Sequence, residues 1–194
     1  RNIDVVIMAG GKGTRLAPFT DVLPKPLIPI HNKPIIQHII DRFSNSGIRN
    51  FFISINYKGK ILKAFFDEIK SENKFNFLEE KIPLGTAGSL HLLSNKISSP
   101  FFVSNCDTII KTDYSDLYNY HISQKNEITL VASAKEYIIP YGTCRVNHDG
   151  SLLKIIEKPQ LDFLINSGLY VLSPSVLKFI PKNKFFDITH LIEV

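Results

Sequence analysis

The sequence predicts an α/β fold in which helices pack on a mostly parallel sheet. Three observations carry that expectation. Short apolar runs of strand length fall at residues 3–8, 51–55 and 101–104. Between the first two lies an apolar pattern at helix spacing, and glycines stand where elements should stop. Strands that alternate with amphipathic helices must lie parallel, because each helix carries the chain back across the sheet.

The elements follow in order. Residues 3–8 form the first strand and end at Gly10-Gly11. Pro34 then opens a helix, with Ile35, Ile36, Ile39, Ile40 and Phe43 on one face and Gly47 at its end. Residues 51–55 are a second strand, and Ile61, Leu62, Phe65, Phe66 and Ile69 mark a second helix. A short strand at 75–78, a short helix at 86–93 and a buried strand at 101–104 complete the first half. The second half is richer in strands, at 128–134, 144–146, 152–156 and 169–172. His148-Asp149-Gly150 separates two of them as a hairpin turn. A smaller lobe with a mixed sheet is expected there, covering the carboxyl ends of the first strands. Asp187 is placed to cap a last helix carrying Ile188, Leu191 and Ile192, which the sequence cuts at Val194 in mid-pattern. The expectation is therefore a single core over residues 1–194, truncated at its C-terminus.

Composition narrows the function. The 194 residues suit one α/β domain or a domain with a small appendage, and 44% hydrophobic residues allow a sizeable core. No apolar stretch approaches the roughly 18 residues of a membrane span, and the N-terminal run is too short for a signal peptide. Two distant cysteines, Cys106 and Cys144, argue against a disulfide framework and a zinc site. A reducing cytoplasm is the simplest compartment. The formal charge of +5 suits an anionic substrate, although by charge alone an ordinary solvated lysine-rich surface is the preferred reading. The basic residues form no stripe interleaved with aromatics, so nucleic acid is not expected as a partner.

The strongest motif is Ala9-Gly10-Gly11-Lys12-Gly13-Thr14-Arg15-Leu16, directly after the first strand. Glycines let the backbone approach a ligand and adopt positive φ. Successive N–H groups in such a turn form a concave anion site, and a guanidinium can fork onto phosphate oxygens. A Walker loop is excluded because Gly11-Lys12 is followed by Gly13 rather than Ser or Thr. A dinucleotide fingerprint is excluded by Leu16, where Gly or Ala is needed. The rival reading is a tight strand-to-helix turn with no ligand. Pro24-Lys25-Pro26-Leu27-Ile28-Pro29 follows, and its prolines hold Lys25 in one place. Such a rigid frame suits a catalytic or phosphate-binding lysine better than a solvated one.

Together these segments resemble the opening signature of the sugar nucleotidyltransferases, the nucleotide-sugar pyrophosphorylases. The resemblance runs in the family's order through Pro83-Leu84-Gly85-Thr86-Ala87-Gly88, Asn105-Cys106-Asp107, Tyr141-Gly142, Glu157-Lys158-Pro159 and Asn166-Ser167-Gly168. It looks most like the mannose-1-phosphate guanylyltransferases. The resemblance implies a Rossmann-like three-layer sandwich with a mixed, mostly parallel central sheet and a small sugar-binding β lobe. It further implies that Ala9, Gly10, Gly11, Gly13 and Thr14 wrap a nucleoside triphosphate, with Arg15 and Lys25 as the catalytic cations. Gly85, Thr86 and Gly88 border the nucleobase. Asn105, Gly142, Glu157, Lys158 and Asn166 hold the sugar 1-phosphate, each with a structural role as its rival.

Glu80 could accept the paired N1–H and N2–H₂ donors of guanine, which favours GTP, or be a solvated loop acid. Asp107, ending a buried strand, is a natural Mg²⁺ ligand; an N-cap for the next helix is the rival. The family usually adds a second metal-binding aspartate in a Trp- or Asp-Gly-type segment. This chain has no Trp and ends before such a segment, and Asp187 does not fit it.

The reaction implied is in-line attack of a sugar 1-phosphate on the α-phosphorus of the triphosphate, releasing pyrophosphate. The attacking oxygen is already anionic, so no general base is needed, and the six histidines form no catalytic pattern. The rivals are a non-catalytic regulatory or scaffold domain, which tends to lose the phosphate-binding cations, and a glycosyltransferase of similar fold, which needs an Asp-x-Asp absent at 105–107. The resemblance leaves room for a homo-oligomer and for regulatory domains outside this chain.

Overall fold

The computed structural model describes residues 3–194. Arg1 and Asn2, at the start of the N-terminal reading, lie outside them. Strand β1 (Asp4–Met8) leads into the glycine turn, a 3₁₀ turn at Thr14–Leu16 and helix α1 (Phe19–Val22). The proline-framed segment forms a second 3₁₀ turn at Lys25–Leu27. The two-residue strands β2 (Pro29–Ile30) and β3 (Lys33–Pro34) pair antiparallel and turn the chain into α2 (Ile35–Asn45). Then come β4 (Asn50–Ile55), α3 (Gly59–Glu68), β5 (Lys74–Glu79) and β6 (Phe101–Asn105). Helix α4 (Tyr114–Ser123), strands β7 (Ile128–Ile138), β8 (Thr143–Val146), β9 (Leu152–Ile156) and β10 (Gln160–Leu172), and helix α5 (Ile188–Glu193) complete the chain.

The central sheet has the order β5-β4-β1-β6-β10-β7. The first four strands run parallel and β10 returns antiparallel against β6, so the sheet is mixed and mostly parallel, as expected. Its strands read as continuous apolar runs because both faces are covered. Val6 and Met8 of β1 join a cluster with Phe52, Val103, Leu172, Leu90, Val176 and Leu191 on one face. Val5 and Ile7, one residue out of phase, are fully buried on the other. There Phe43 of α2 stacks 5.3 Å from Phe102 and 4.2 Å from Tyr114 of α4. Layers of helix, sheet and helical turns result.

The sequence reading needs three corrections. The strand expected at 169–172 belongs to β10 and pairs with β6 in the main sheet, and β7 also joins that sheet, so neither is confined to a separate lobe. The helix expected at 86–93 is a 3₁₀ segment, Gly88–Leu93. Helix α4 had no counterpart, because its buried stripe is Tyr114, Tyr118 and His121, which does not read as an apolar period.

The chain divides into two compact units, Arg1–Leu130 with Gly168–Val194 and Val131–Ser167. Within the second, β8 and β9 form the expected antiparallel hairpin, and Tyr137 stacks 6.0 Å from Phe163.

Candidate functional site

In the first unit, β4 and β5 lie on one side of β1 and β6 on the other. The connections leaving the carboxyl ends of β1 and β6 therefore diverge, which opens a crevice at this switch point. The glycine turn follows β1 and Asn105-Cys106-Asp107 closes β6, so both strongest motifs stand at that crevice. A cavity of about 620 Å³ occupies it, lined among others by Gly10, Gly11, Gly13, Thr14, Arg15 and Lys25. Glu80, Gly85, Thr86, Asn105 and Asp107 line the same space. A second cavity of about 380 Å³ shares Arg15, Lys25 and Asp107.

Each glycine of the turn has its own reason. Gly13 holds φ +66°, and a Cβ there would come within 2.9 Å of both Lys25 Cβ and Thr20 Cγ2. A Cβ on Gly10 would sit 2.9 Å from Glu80 Oε1. At Gly11 nothing lies within 4 Å, so its backbone faces open space. Buried Thr20 braces the turn by donating to the Gly13 carbonyl at 3.1 Å, and Lys58 Nζ in turn donates to the Thr20 carbonyl at 3.2 Å.

Lys25 Nζ donates to Asp107 Oδ2 across 82 residues of sequence, with the two side chains 23% and 38% exposed. The proline frame thus aims the lysine into the cavity rather than into bulk water. Arg15 makes no ion pair among the described residues, and its guanidinium stays available to an incoming anion. Between Asn105 and Asp107, Cys106 is packed inside, and burial pushes its thiol up to about 12, against a smaller opposing pull from Lys25.

Glu80 is not a solvated acid. It is 9% exposed, accepts from Ser54 Oγ at 2.9 Å on Oε1, and accepts from the Leu84 N–H at 3.2 Å on Oε2. It ties the end of β4 to the loop at 84–88 and still faces the cavity. Ser54 had a signal in the sequence: it is the one hydroxyl in the apolar run Phe51-Phe52-Ile53-Ser54-Ile55. Ala9 and Gly88 are buried and are not among the residues lining the cavity. The Ala9 N–H donates to the Ser54 carbonyl at 3.2 Å, and a Cβ on Gly88 would come within 2.9 Å of the Lys184 carbonyl.

Two further residues shape this site without having been assigned to it from sequence. Gly168, at φ +76°, lies so close to Asn105 that a Cβ would meet Asn105 Nδ2 at 2.4 Å. Asp187 caps α5, as expected, but it also lines the cavity and accepts from Thr86.

In the second unit, Gly142 and Glu157 face each other, with Glu157 Oε2 at 2.9 Å from where a Gly142 Cβ would stand. Lys158 takes φ +44° at the end of β9, and Asn166 is exposed on β10.

A family model described as nucleotidyl transferase matches residues 4–189. The chain belongs to the nucleotidyl transferase family. Curated relatives include a mannose-1-phosphate guanyltransferase of Hypocrea jecorina, 37% identical over 183 residues, covering 89% of this chain and 50% of that protein. The enzyme of the same name from Schizosaccharomyces pombe is 37% identical over 182 residues, covering 89% of this chain and 50% of its own length. The chain thus spans about half the length of the curated relatives it matches. Among solved structures, HddC from Yersinia pseudotuberculosis in complex with GMP-PN superimposes with a TM-score of 0.74 at 30% identity, covering 95% of this chain and 82% of that one. A UDP-glucose pyrophosphorylase complexed with UDP-glucose matches with a TM-score of 0.69 at 20% identity over 99% of this chain and 86% of that one, which supports the fold. The nucleotidyl transferase motifs of this chain therefore lie within the matched span, on the family's fold.

Proposed function

We propose that the protein transfers a nucleoside monophosphate from a nucleoside triphosphate, with GTP favoured, to a sugar 1-phosphate, forming a nucleotide sugar and releasing pyrophosphate. The observation that carries this reading is the convergence of the glycine turn, Arg15, Lys25 and Asp107 on one cavity at the switch point of the sheet. Two polyanions must meet for the reaction, and fixed cations lower their repulsion and hold the line of attack. Arg15 binds the β- and γ-phosphates, and Lys25 offsets charge near the α-phosphorus. An oxygen of the sugar 1-phosphate forms the new bond to that phosphorus as the bond to the pyrophosphate oxygen breaks. The nucleophile needs no base, since a phosphate monoester has a second pKa of about 6.

The donor set fits Mg²⁺. This ion prefers one or two carboxylates completed by phosphate oxygens and water. The Asp107 carboxylate is 38% exposed in the cavity and supplies one. Asp107 would hold the ion, which when bound supplies charge neutralisation at the phosphates. Among the described residues no cluster of three metal-ligating side chains is found, so Asp107 would hold the ion together with phosphate oxygens and water.

The guanine preference draws support from the guanyltransferase relatives and the GMP-PN complex. Glu80 beside the loop at 84–88 is the candidate reader of the base: each of its oxygens accepts one bond from the protein and keeps a second lone pair. Glu157, Gly142, Lys158 and Asn166 are proposed to bind the sugar phosphate, on the family resemblance. A cytoplasmic setting is supported by two cysteines that stay free, one buried and one exposed. No helix of the described residues is long and apolar enough to cross a membrane.

The test pairs GTP, ATP, UTP and dTTP with a panel of sugar 1-phosphates and Mg²⁺, reading pyrophosphate release. Release with GTP and at least one sugar phosphate is expected. A thermal-shift panel runs alongside, in which a ligand at one hundred times its Kd stabilises by about 2.7 kcal/mol. Silence in both assays for every nucleotide would reject the reading.

A further inference from the structure

Two segments a hundred residues apart are stitched together at the wall of the cavity. The Thr86 N–H and Oγ1–H both donate to Asp187 Oδ1, at 2.9 and 3.0 Å. Thr86 Oγ1 in turn accepts from the Ile188 N–H at 2.9 Å. The Ala87 and Gly88 N–H groups donate to the Phe186 carbonyl, each at 3.0 Å, and the Phe186 N–H donates to the Leu84 carbonyl at 2.9 Å. The fit leaves no room at Gly85, which holds φ +79° and whose Cβ would stand 2.8 Å from Asp187 Oδ1. Glu80 holds the start of the loop through the Leu84 N–H at 3.2 Å, and Asp187 is the carboxylate that holds Thr86. Thr86 is exposed, so water can replace the carboxylate if it is lost; what the carboxylate adds is a fixed loop conformation.

We propose that Asp187 is a positioning residue that locks the loop at 84–88, and thereby sets how sharply the site discriminates among nucleobases. This rests on reading the cavity as a nucleotide site with that loop beside the base. A preorganised loop costs no ordering when the base arrives, whereas a loosened one must be ordered by the ligand and accepts other bases more nearly equally.

The experiment compares wild type, Asp187→Ala and Asp187→Asn in the intact protein. It measures affinity for GTP, ATP and inorganic tripolyphosphate, and amide hydrogen exchange at Thr86, Ala87 and Gly88 without ligand. Asp187→Ala should weaken GTP by about tenfold, the scale of one or two net hydrogen bonds. It should narrow the GTP-to-ATP ratio, leave tripolyphosphate binding unchanged and speed exchange at the three amides. Asp187→Asn keeps an acceptor oxygen in place and should restore the wild-type ratio. Equal losses for GTP and tripolyphosphate would overturn the proposal, since they would mark general damage. So would unchanged selectivity or unchanged exchange in Asp187→Ala while wild type still binds GTP. A wild type that binds tripolyphosphate but no nucleoside triphosphate would instead reject the nucleotide reading, and the selectivity role with it.

Discussion

Lys25 shows how much chemistry a single framed side chain can carry. Pro24 and Pro26 fix the backbone on either side, Leu27 is buried beside it, and the ion pair with Asp107 holds the ammonium in the cavity. In the proposed mechanism, removing its ammonium takes away a charge at the phosphates. Lys25→Ala should lower turnover by about 10²–10³-fold, as for other preorganised electrostatic groups, with circular dichroism and melting temperature close to wild type; pyrophosphate release near the wild-type rate would count against the mechanism. The two thiols make a second contrast. Burial holds Cys106 at about 12, so it stays protonated at neutral pH, while Cys144 is exposed. Native protein should take up one equivalent of a thiol reagent, at Cys144 by peptide mapping, and the second only after unfolding. Rapid labelling of both would contradict this packing.

At the scale of elements, α4, β7 and the turn after β10 are joined by a buried histidine. The Ser173 hydroxyl donates to the Asn126 carbonyl, so it accepts from His121 Nε2, and His121 Nδ1 is left to accept from Thr129 Oγ1 at 2.8 Å. The network fits a neutral ring, and burial lowers the His121 pKa against a smaller opposing effect of Glu127. A histidine whose folded pKa lies below its unfolded value of about 6.5 binds fewer protons folded than unfolded as pH falls. Stability should therefore drop below about pH 6.5. Melting temperature followed from pH 7.5 to 5.0 should fall less steeply in His121→Gln than in wild type, and parallel curves would refute the assignment. The motif His121 belongs to was hidden in sequence, since tyrosine and histidine on a helix face read equally as surface.

On the scale of the whole molecule, the sheet places its charged site and its apolar core back to back. The side chains of β1 are buried on both faces, and its carboxyl end opens onto the cavity. The core towards the amino ends of the strands depends on a few aromatics: Phe43 packs against Phe51, Phe102 and Tyr114 at once. Phe43→Ala should cost about 3–5 kcal/mol, read by denaturant unfolding, and should lower the stability of the fold without altering nucleotide preference in the folded fraction. A loss under 1 kcal/mol would mean the three contacts are not shared as described.

Local pattern was enough for what depends on local chain geometry. The apolar runs of β1, β4 and β6, the stripe of α2, the hairpin of β8 and β9 and the positive-φ turn at Gly13 all follow from residues close in sequence. Those rules set which backbone angles are allowed and which side of an element seeks burial. What needed the tertiary structure were meetings between distant residues: β10 returning along β6 to press Gly168 against Asn105, Ser54 holding Glu80, and Asp187 reaching Thr86 from 101 positions away. No periodicity encodes such pairs. They arise when packing closes long loops at once, and a glycine, a serine or a capping aspartate looks the same in sequence whether or not a partner will arrive.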